Sequence, residues 1–223
     1  GDYKKGTDIS DYEKNNHITL TELPKDGWVI LDLGSAKIKQ RIENIGKPLK
    51  DWDIQFYRGF LTGFNDAFFI DEKKRNEIIA KEPKAEEIIK PLLRGREIKK
   101  YGYDFTNNYV IFSHNGYTSK NEKISNINID EYPIIKEHLD HYWEQIQKRT
   151  DKGITPYNLR NCAYVEEFNK EKIVWLAISD KPAFALDNYK MHVTAPAYIM
   201  TSDCNRYLLA LLNSKTMEWY LDK

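Results

Sequence analysis

FYRGFLTGFNDAFFIDEKKRNEIIAKEPKAEEIIKPLLRGREIKKY, residues 56–101, carries the plan of this chain. Its opening crowds Gly59, Thr62, Gly63, Asn65 and several aromatics together. That pattern predicts a strand over Ile54–Phe60, a turn bracketed by Gly59 and Gly63, and a second strand over Ala67–Ile70 pairing back on the first. Asp71 then caps a helix to Lys81, and Pro83 restarts a helical turn through Ile89. The stretch closes on Lys90, Arg94, Arg96, Lys99 and Lys100 against the single acid Glu97. The whole chain balances 34 Lys and Arg against 34 Asp and Glu. A local cationic excess on a neutral chain points to an anionic partner more directly than overall charge does.

Upstream, residues 1–25 read as a polar lead-in strand or linker. Trp28–Leu33 (WVILDL) reads as a short buried strand. A helix follows, capped by Ser35, with Ile38, Ile42 and Ile45 on one face and a stop at Gly46 and Pro48. Downstream, Tyr109–Phe112 predicts a strand, and His114–Lys123 (HNGYTSKNEK) a polar loop. Asp130–Lys152 predicts the longest helix, with Ile135, Leu139, Tyr142 and Ile146 facing the core and Gly153 closing it. Ile173–Ile178, Ala183–Leu186 and Tyr198–Thr201 predict strands, and a last helix runs from Asp203 through Tyr220. Strands and helices interleave with short turns, which predicts an α+β fold of small mixed sheets with packed helices rather than a doubly wound sheet. The domain reading is a lead-in over 1–25, a main domain over 26–202 and a closing helix over 203–223. The first residue is Gly1, and no stop signal follows the last helix; both suggest a piece of a longer protein.

At 223 residues, 41% hydrophobic and 30% charged, with 15 tyrosines and 5 tryptophans, the chain has material for a real core. No apolar run approaches the roughly 20 residues of a membrane span. Cys162 and Cys204 have no CxxC neighbour and read as two thiols in a reducing cytoplasm.

Three catalytic patterns are weak. Val29–Ala36 (VILDLGSA) looks like the glycine-rich strand end that cradles S-adenosylmethionine. It lacks the further glycines that close backbone approach requires, and no NPPY-like tetrapeptide appears anywhere. Glu97-Ile98-Lys99 has nuclease E-x-K spacing without an upstream Asp on a neighbouring strand. His138 and His141 could share a helix face toward zinc, but no second ligand cluster accompanies them. What remains is cationic and polar material on turns: Arg58, Thr62 and Asn65 around the glycine turn; Lys90, Arg94, Arg96, Lys99 and Lys100, with Gly95 inviting close approach of a partner; Tyr117 and Lys120 in the polar loop; and Arg160 and Asn161 after the Gly153–Pro156 turn. Arg and Lys neutralise phosphates, and Arg and Asn read base edges.

In order along the chain, several blocks resemble a known family. FYRGFLTGFNDAFFID resembles the "GI-TG-N-AF-ID" block of the TaqI-like C-terminal specificity domain, and IIKPLLRGREIKKY resembles its "IIKPLLRGRDIKRY". Tyr132-Pro133-Ile134 with His138-Leu139, Lys172-Ile173-Val174-Trp175, and YLLALLNS from Tyr207 match further blocks. Pro156-Tyr157-Asn158-Leu159-Arg160 stands where the family has "W-Y-x-L-R", with Pro in place of Trp. The resemblance implies a target-recognition module, akin in fold to type I specificity subunits, of an adenine-specific DNA methyltransferase. Many such enzymes are type IIG restriction–modification proteins, and related ones serve in phage defence. It implies duplex DNA as partner, a methyltransferase domain and, in the type IIG case, a nuclease domain in the parent chain, a prokaryotic cytoplasmic setting and no membrane. No catalysis or cofactor is expected in this piece, and S-adenosylmethionine is expected for the parent. Basic turns would hold phosphates and His114–Lys123 would read bases. The rival readings are a standalone S-adenosylmethionine-dependent methyltransferase and a non-catalytic protein-interaction scaffold.

Overall fold

A computed structural model describes residue 6 and residues 8–17 and 31–222. Along the chain the helices are α1 (Ile9–Asn16), α2 (Leu33–Ile45), the single turn α3 (Asn65–Phe68), α4 (Glu72–Lys81), α5 (Pro133–Asp140), α6 (Trp143–Ile146), α7 (Asn205–Leu212) and α8 (Lys215–Leu221). The strands are β1 (Ile54–Arg58), β2 (Phe69–Asp71), β3 (Ile89–Leu93), β4 (Asn108–Ile111), β5 (Tyr117–Ser119), β6 (Glu122–Ile124), β7 (Lys172–Leu176), β8 (Phe184–Asp187), β9 (His192–Val193) and β10 (Ala197–Ser202). This is an α+β fold. Residues Asp53–Glu218 form one compact unit, and residues 1–52 with 219–223 form another.

In the larger unit, β1-β10-β7-β8 make an antiparallel sheet and β2-β4-β3-β9 a second, with β3 and β9 parallel. The two sheets share chain at two crossings. Phe60, just past β1, donates its N–H to Val193 O at 3.0 Å, while Ala195 N–H donates to Phe60 O at 3.0 Å. The backbones approach so closely that a Cβ on Gly59 would sit 2.5 Å from Thr194 C, so only glycine fits there. This close stitch corrects the predicted hairpin. Residues 65–68 turn helically, and β2 pairs with β4, register Ile70↔Tyr109, not with β1. β1 pairs instead with β10, about 140 residues away in sequence.

Asp71 caps α4 as its sequence predicts, accepting from Lys74 N at 2.7 Å. The long helix expected over Asp130–Lys152 is broken into α5 and α6, and the chain is irregular after them. Its stripe still packs inward: Ile135, Leu139 and Ile146 are fully buried and Tyr142 is partly buried against the core. The closing helix is likewise split, at Asn213, whose side chain is buried and exchanges hydrogen bonds with the Phe184 backbone at 2.8 and 3.1 Å. In the smaller unit α2 is capped by Asp32 rather than Ser35. Asp32 accepts from Gly34 N and Ser35 N, and Ser35 Oγ donates to it at 2.6 Å. The predicted strand over Trp28–Leu33 lies largely outside the described residues, and Leu33 is already helical. Within the expected lead-in, Ile9–Asn16 are helical under an Asp8 cap.

The core of the larger unit is aromatic where the sheets meet. Phe60 meets Phe112 edge-on at 5.3 Å, and His192 stacks on Phe168 at 5.1 Å and meets Phe112 at 4.6 Å. Beside them Lys172 and Asp187, both fully buried, form an ion pair. Lys172 also donates to Phe168 O at 2.6 Å, and Asp187 accepts from Tyr103 Oη at 2.7 Å and from the Tyr189 and Met191 amides. Such a pair holds its geometry only because nearly every lone pair and proton is satisfied.

His192 is 2% exposed. Burial first, and the Lys172 charge second, push its pKa down to about 3, so it is neutral in the native state. The unfolded chain binds a proton near the ordinary value while the native state does not. Stability from this group is therefore complete above about pH 6.5 and is lost as pH falls toward the native pKa, with a slope of up to about 1.4 kcal/mol per pH unit. His114 and His138, also lowered by burial, act in the same direction. Urea unfolding at pH 7 and pH 5 should show a drop that His192→Gln makes shallower; an unchanged slope in that variant would mean the imidazole is not held neutral.

Candidate nucleic-acid interface

The glycine turn and the 151–161 loop are fastened to one side chain. Arg149 follows α6, is 6% exposed, and lies over the Phe68 ring at 4.4 Å. Its Nη1 donates to Thr62 O and to Asp151 O at 3.0 Å, and its Nη2 donates to Pro156 O at 2.8 Å and to Asn158 O. Burial pulls its pKa down to about 10, with the Asp151 charge opposing, so it remains a cation at neutral pH. The planar fork suits this work, because its donors reach separate carbonyls without rearrangement.

Asn158, buried, ties the same loop to the base of the next segment by donating to Ile127 O at 2.9 Å, while Thr155 Oγ1 donates to Asn158 Oδ1 at 2.7 Å. Leu159 N–H reaches Ser113 O at 2.8 Å, and Ser113 Oγ reaches Tyr157 O at 2.6 Å. Pro156, which stands where the family block has Trp, contributes a carbonyl to the guanidinium rather than a ring to a surface. Arg160 and Asn161 emerge from this braced loop. Arg160 is exposed and pairs with Asp151 at 3.1 Å, and Asn161 Oδ1 accepts from Asn115 Nδ2. Tyr164 stacks on Tyr57 at 4.7 Å and donates to Arg58 O at 2.9 Å. Arg58 and Arg160 both act electrostatically on the Tyr164 hydroxyl, which burial raises to about 12. Tyr164 thus ties the Arg58 backbone to the segment that follows Arg160 and Asn161, and Asn115 is joined to that segment through Asn161.

His114–Lys123, read as an irregular loop, contains a β-hairpin. β5 and β6 pair in the register Thr118↔Lys123, and Lys120 and Asn121 take φ values of 45° and 70°, the two positive positions of a type I′ turn. Ser119 Oγ donates to Glu166, fixing the hairpin to the segment that leads to β7. Lys120 sits exposed at the tip.

The cations of 90–100 fare differently. Arg94 Nε donates at 3.1 Å to Glu97, which is 4% exposed and also takes the Arg94 amide and Thr106 Oγ1. Lys99 pairs with Asp104, and Lys100 with Glu218 at 2.7 Å. Lys99–Asp104 is a surface pair worth about 0–1 kcal/mol and does not lock its lysine, whereas Glu97 binds Arg94 into the fold. Gly95 is buried because a Cβ would sit 2.3 Å from Leu176 Cδ1; the close neighbour is β7, not an outside partner. Lys90 is half-buried on β3. Of these five cations, only Arg96 is exposed without an ion pair among the described residues. Three of the five cations are thus paired with acids, one inside the run and two outside it. Two other expected contacts also shift. Thr62 is buried and donates to Asn65 Oδ1 at 2.6 Å, so it builds the turn rather than facing solvent, while Asn65 stays exposed. Tyr117 is half-buried against His114 at 5.0 Å.

Residues 90–223 match the family described as the TaqI-like C-terminal specificity domain. The chain belongs to that family. The specificity-domain match takes in the Arg160–Asn161 loop, the hairpin and the 90–100 cations, whereas Arg58, Thr62 and Asn65 precede it. Membership of a TaqI-like specificity family points to DNA target recognition in a restriction–modification context. No curated protein matches this chain.

Sequence reasoning missed Arg149, Asn115 and Tyr164. Arg149 ends a helical stretch and precedes a Gly- and Pro-containing turn, a place where unpaired carbonyls collect; that is the signal that could have found it. Arg149→Met would leave Thr62, Asp151, Pro156 and Asn158 carbonyls without their donor. It should cost at least about 3 kcal/mol in urea unfolding, and Arg149→Lys, with one compact donor head, should recover only a part. Full stability in Arg149→Met would show that the loops hold themselves.

Proposed function

We propose that this domain reads duplex DNA sequence for an adenine-specific restriction–modification methyltransferase. It holds the duplex so that a catalytic domain elsewhere in the parent protein methylates adenine at N6. The observation that carries the reading is a set of exposed polar and cationic side chains, Arg58 at the end of β1 with Lys120, Arg160 and Asn161 on braced turns, within a specificity-family fold. Cations fixed on rigid backbone meet phosphates without paying again for ordering, and Arg and Asn on the same turns suit base edges. Arg96, and Lys99 once freed from its surface pair, extend the phosphate contacts. A type IIG arrangement, with a nuclease in the same parent chain, and a role in phage defence fit this reading.

S-adenosylmethionine belongs to the partner methyltransferase domain. In the described part of Val29–Ala36, Asp32 spends its carboxylate on the α2 cap. That use of Asp32 supports a helix-capping role for the described part of the block over a standalone methyltransferase site. The smaller unit carries exposed Ile38 and Ile45 on one face of α2, an apolar pair that supports a protein contact there. We assign that contact to the methyltransferase domain of the same parent.

Binding to a pool of 30-base-pair duplexes, followed by anisotropy from 50 to 200 mM salt, should weaken steeply. Arg58→Ala, Arg96→Ala and Arg160→Ala should each weaken it and reduce the salt slope by about 1. Arg94→Ala should act chiefly by destabilising the fold, because it strips the buried Glu97 of its cation. Salt-independent binding, or unchanged slopes in all three exposed-arginine variants, would contradict DNA recognition by this surface.

A further inference from the structure

A separate cavity lies behind the hairpin. It encloses about 280 Å³ and is bounded by Lys90 of β3, His114, Tyr117, Tyr132, Asn169 and His192 of β9. It is slightly smaller than the usual range for drug-sized ligands, so it suits a single small ring system. Its polar groups are unusually idle. Lys90 makes no ion pair or hydrogen bond among the described residues, although burial has stripped part of its water and lowers its pKa, with Glu86 and Glu87 opposing. His192, almost wholly buried, has its Nδ1 3.3 Å from Lys190 O, so Nδ1 carries the proton and Nε2 offers a lone pair with no partner among the described residues. His114 is the reverse. Its Nδ1 accepts from Gly116 N–H at 3.2 Å, so its Nε2 carries an N–H with no partner among the described residues.

The lining therefore offers a cation, a neutral N–H donor and a neutral acceptor among aromatic walls. A phosphate would meet the one lysine but also the His192 lone pair and the nearby Glu87 carboxylate. A planar heterocycle with both carbonyl or ring-nitrogen acceptors and an N–H donor satisfies all of these groups, and its faces suit the aromatic walls. We propose that the cavity is a nucleobase-binding pocket, with Lys90 and His114 donating to the base and His192 accepting from it. The inference stands on the cavity's own groups and does not require that the domain recognise duplex sequence. The base could come from a free nucleotide or from an unpaired nucleotide of a DNA strand.

The test titrates the protein with each of the four deoxynucleoside 5′-monophosphates by calorimetry and ¹H–¹⁵N NMR, with deoxyribose 5-phosphate and inorganic phosphate as controls. A second arm compares a fully paired duplex with the same duplex carrying one unpaired 2-aminopurine. Saturable binding of at least one mononucleotide, or tighter binding of the bulged duplex with a change in 2-aminopurine emission, supports the pocket and tells the two sources apart. In the folded Lys90→Met variant that binding should weaken by about tenfold or more. His114→Phe serves as a second variant that keeps the wall. No binding in either arm, equal binding of inorganic phosphate, or unaltered binding in both folded variants overturns the proposal. Duplex binding without either signal would overturn the pocket alone, and mononucleotide binding without duplex binding would overturn only the DNA-recognition reading.

Discussion

A single buried guanidinium holds the irregular half of this domain in shape. Turns that present side chains to a partner carry backbone carbonyls that no sheet or helix satisfies, and in a compact fold some of these are forced inward. Arg149 gathers those of Thr62, Asp151, Pro156 and Asn158 into one planar fork, stacked on Phe68. The cost is a desolvated cation, visible in its lowered pKa. The return is that two loops far apart in sequence are positioned by one group. Arg160 and Asn161 are placed by that loop; Arg58 is tied in through Tyr164.

The second constraint is electrostatic and lies deeper. Lys172 and Asp187 sit fully buried between strands, with Tyr103 and two amides completing the carboxylate's contacts. Neighbouring His192 is forced neutral by burial and by that lysine. A charged pair and an uncharged imidazole side by side explain how a polar seam passes through an aromatic core where the two sheets exchange chain. They also explain why the cavity at its edge presents a neutral histidine acceptor rather than a second cation.

Local signals were legible in the sequence. The Asp71 cap, the Gly46 and Pro48 stop, β7, β8 and β10, and the buried stripe of Ile135, Leu139 and Ile146 all follow from caps and periodicity, within a residue or two. What failed needed long-range information. The Phe56–Ile70 block looks like a hairpin because turn residues sit between apolar runs, yet each run found a better partner in a different sheet. The helix over Asp130–Lys152 has the right spacing but is interrupted, because its later residues turn to brace loops. The 90–100 cations formed a patch on paper and are mostly neutralised by Glu97, Asp104 and Glu218, one inside the run and two outside it. Charge counted along a chain cannot see an acid brought in from elsewhere.

In the proposed reading, DNA is held chiefly by the braced turns, and the 90–100 run adds only the exposed side chains of Arg96 and Lys99. Amide hydrogen exchange on the domain, with and without duplex DNA at low salt, tests it most directly. New protection should concentrate in residues 114–124 and 151–164 and near Arg58, with little change in the backbone over 94–106. Protection confined to 94–106, or none anywhere at saturating DNA, would contradict it.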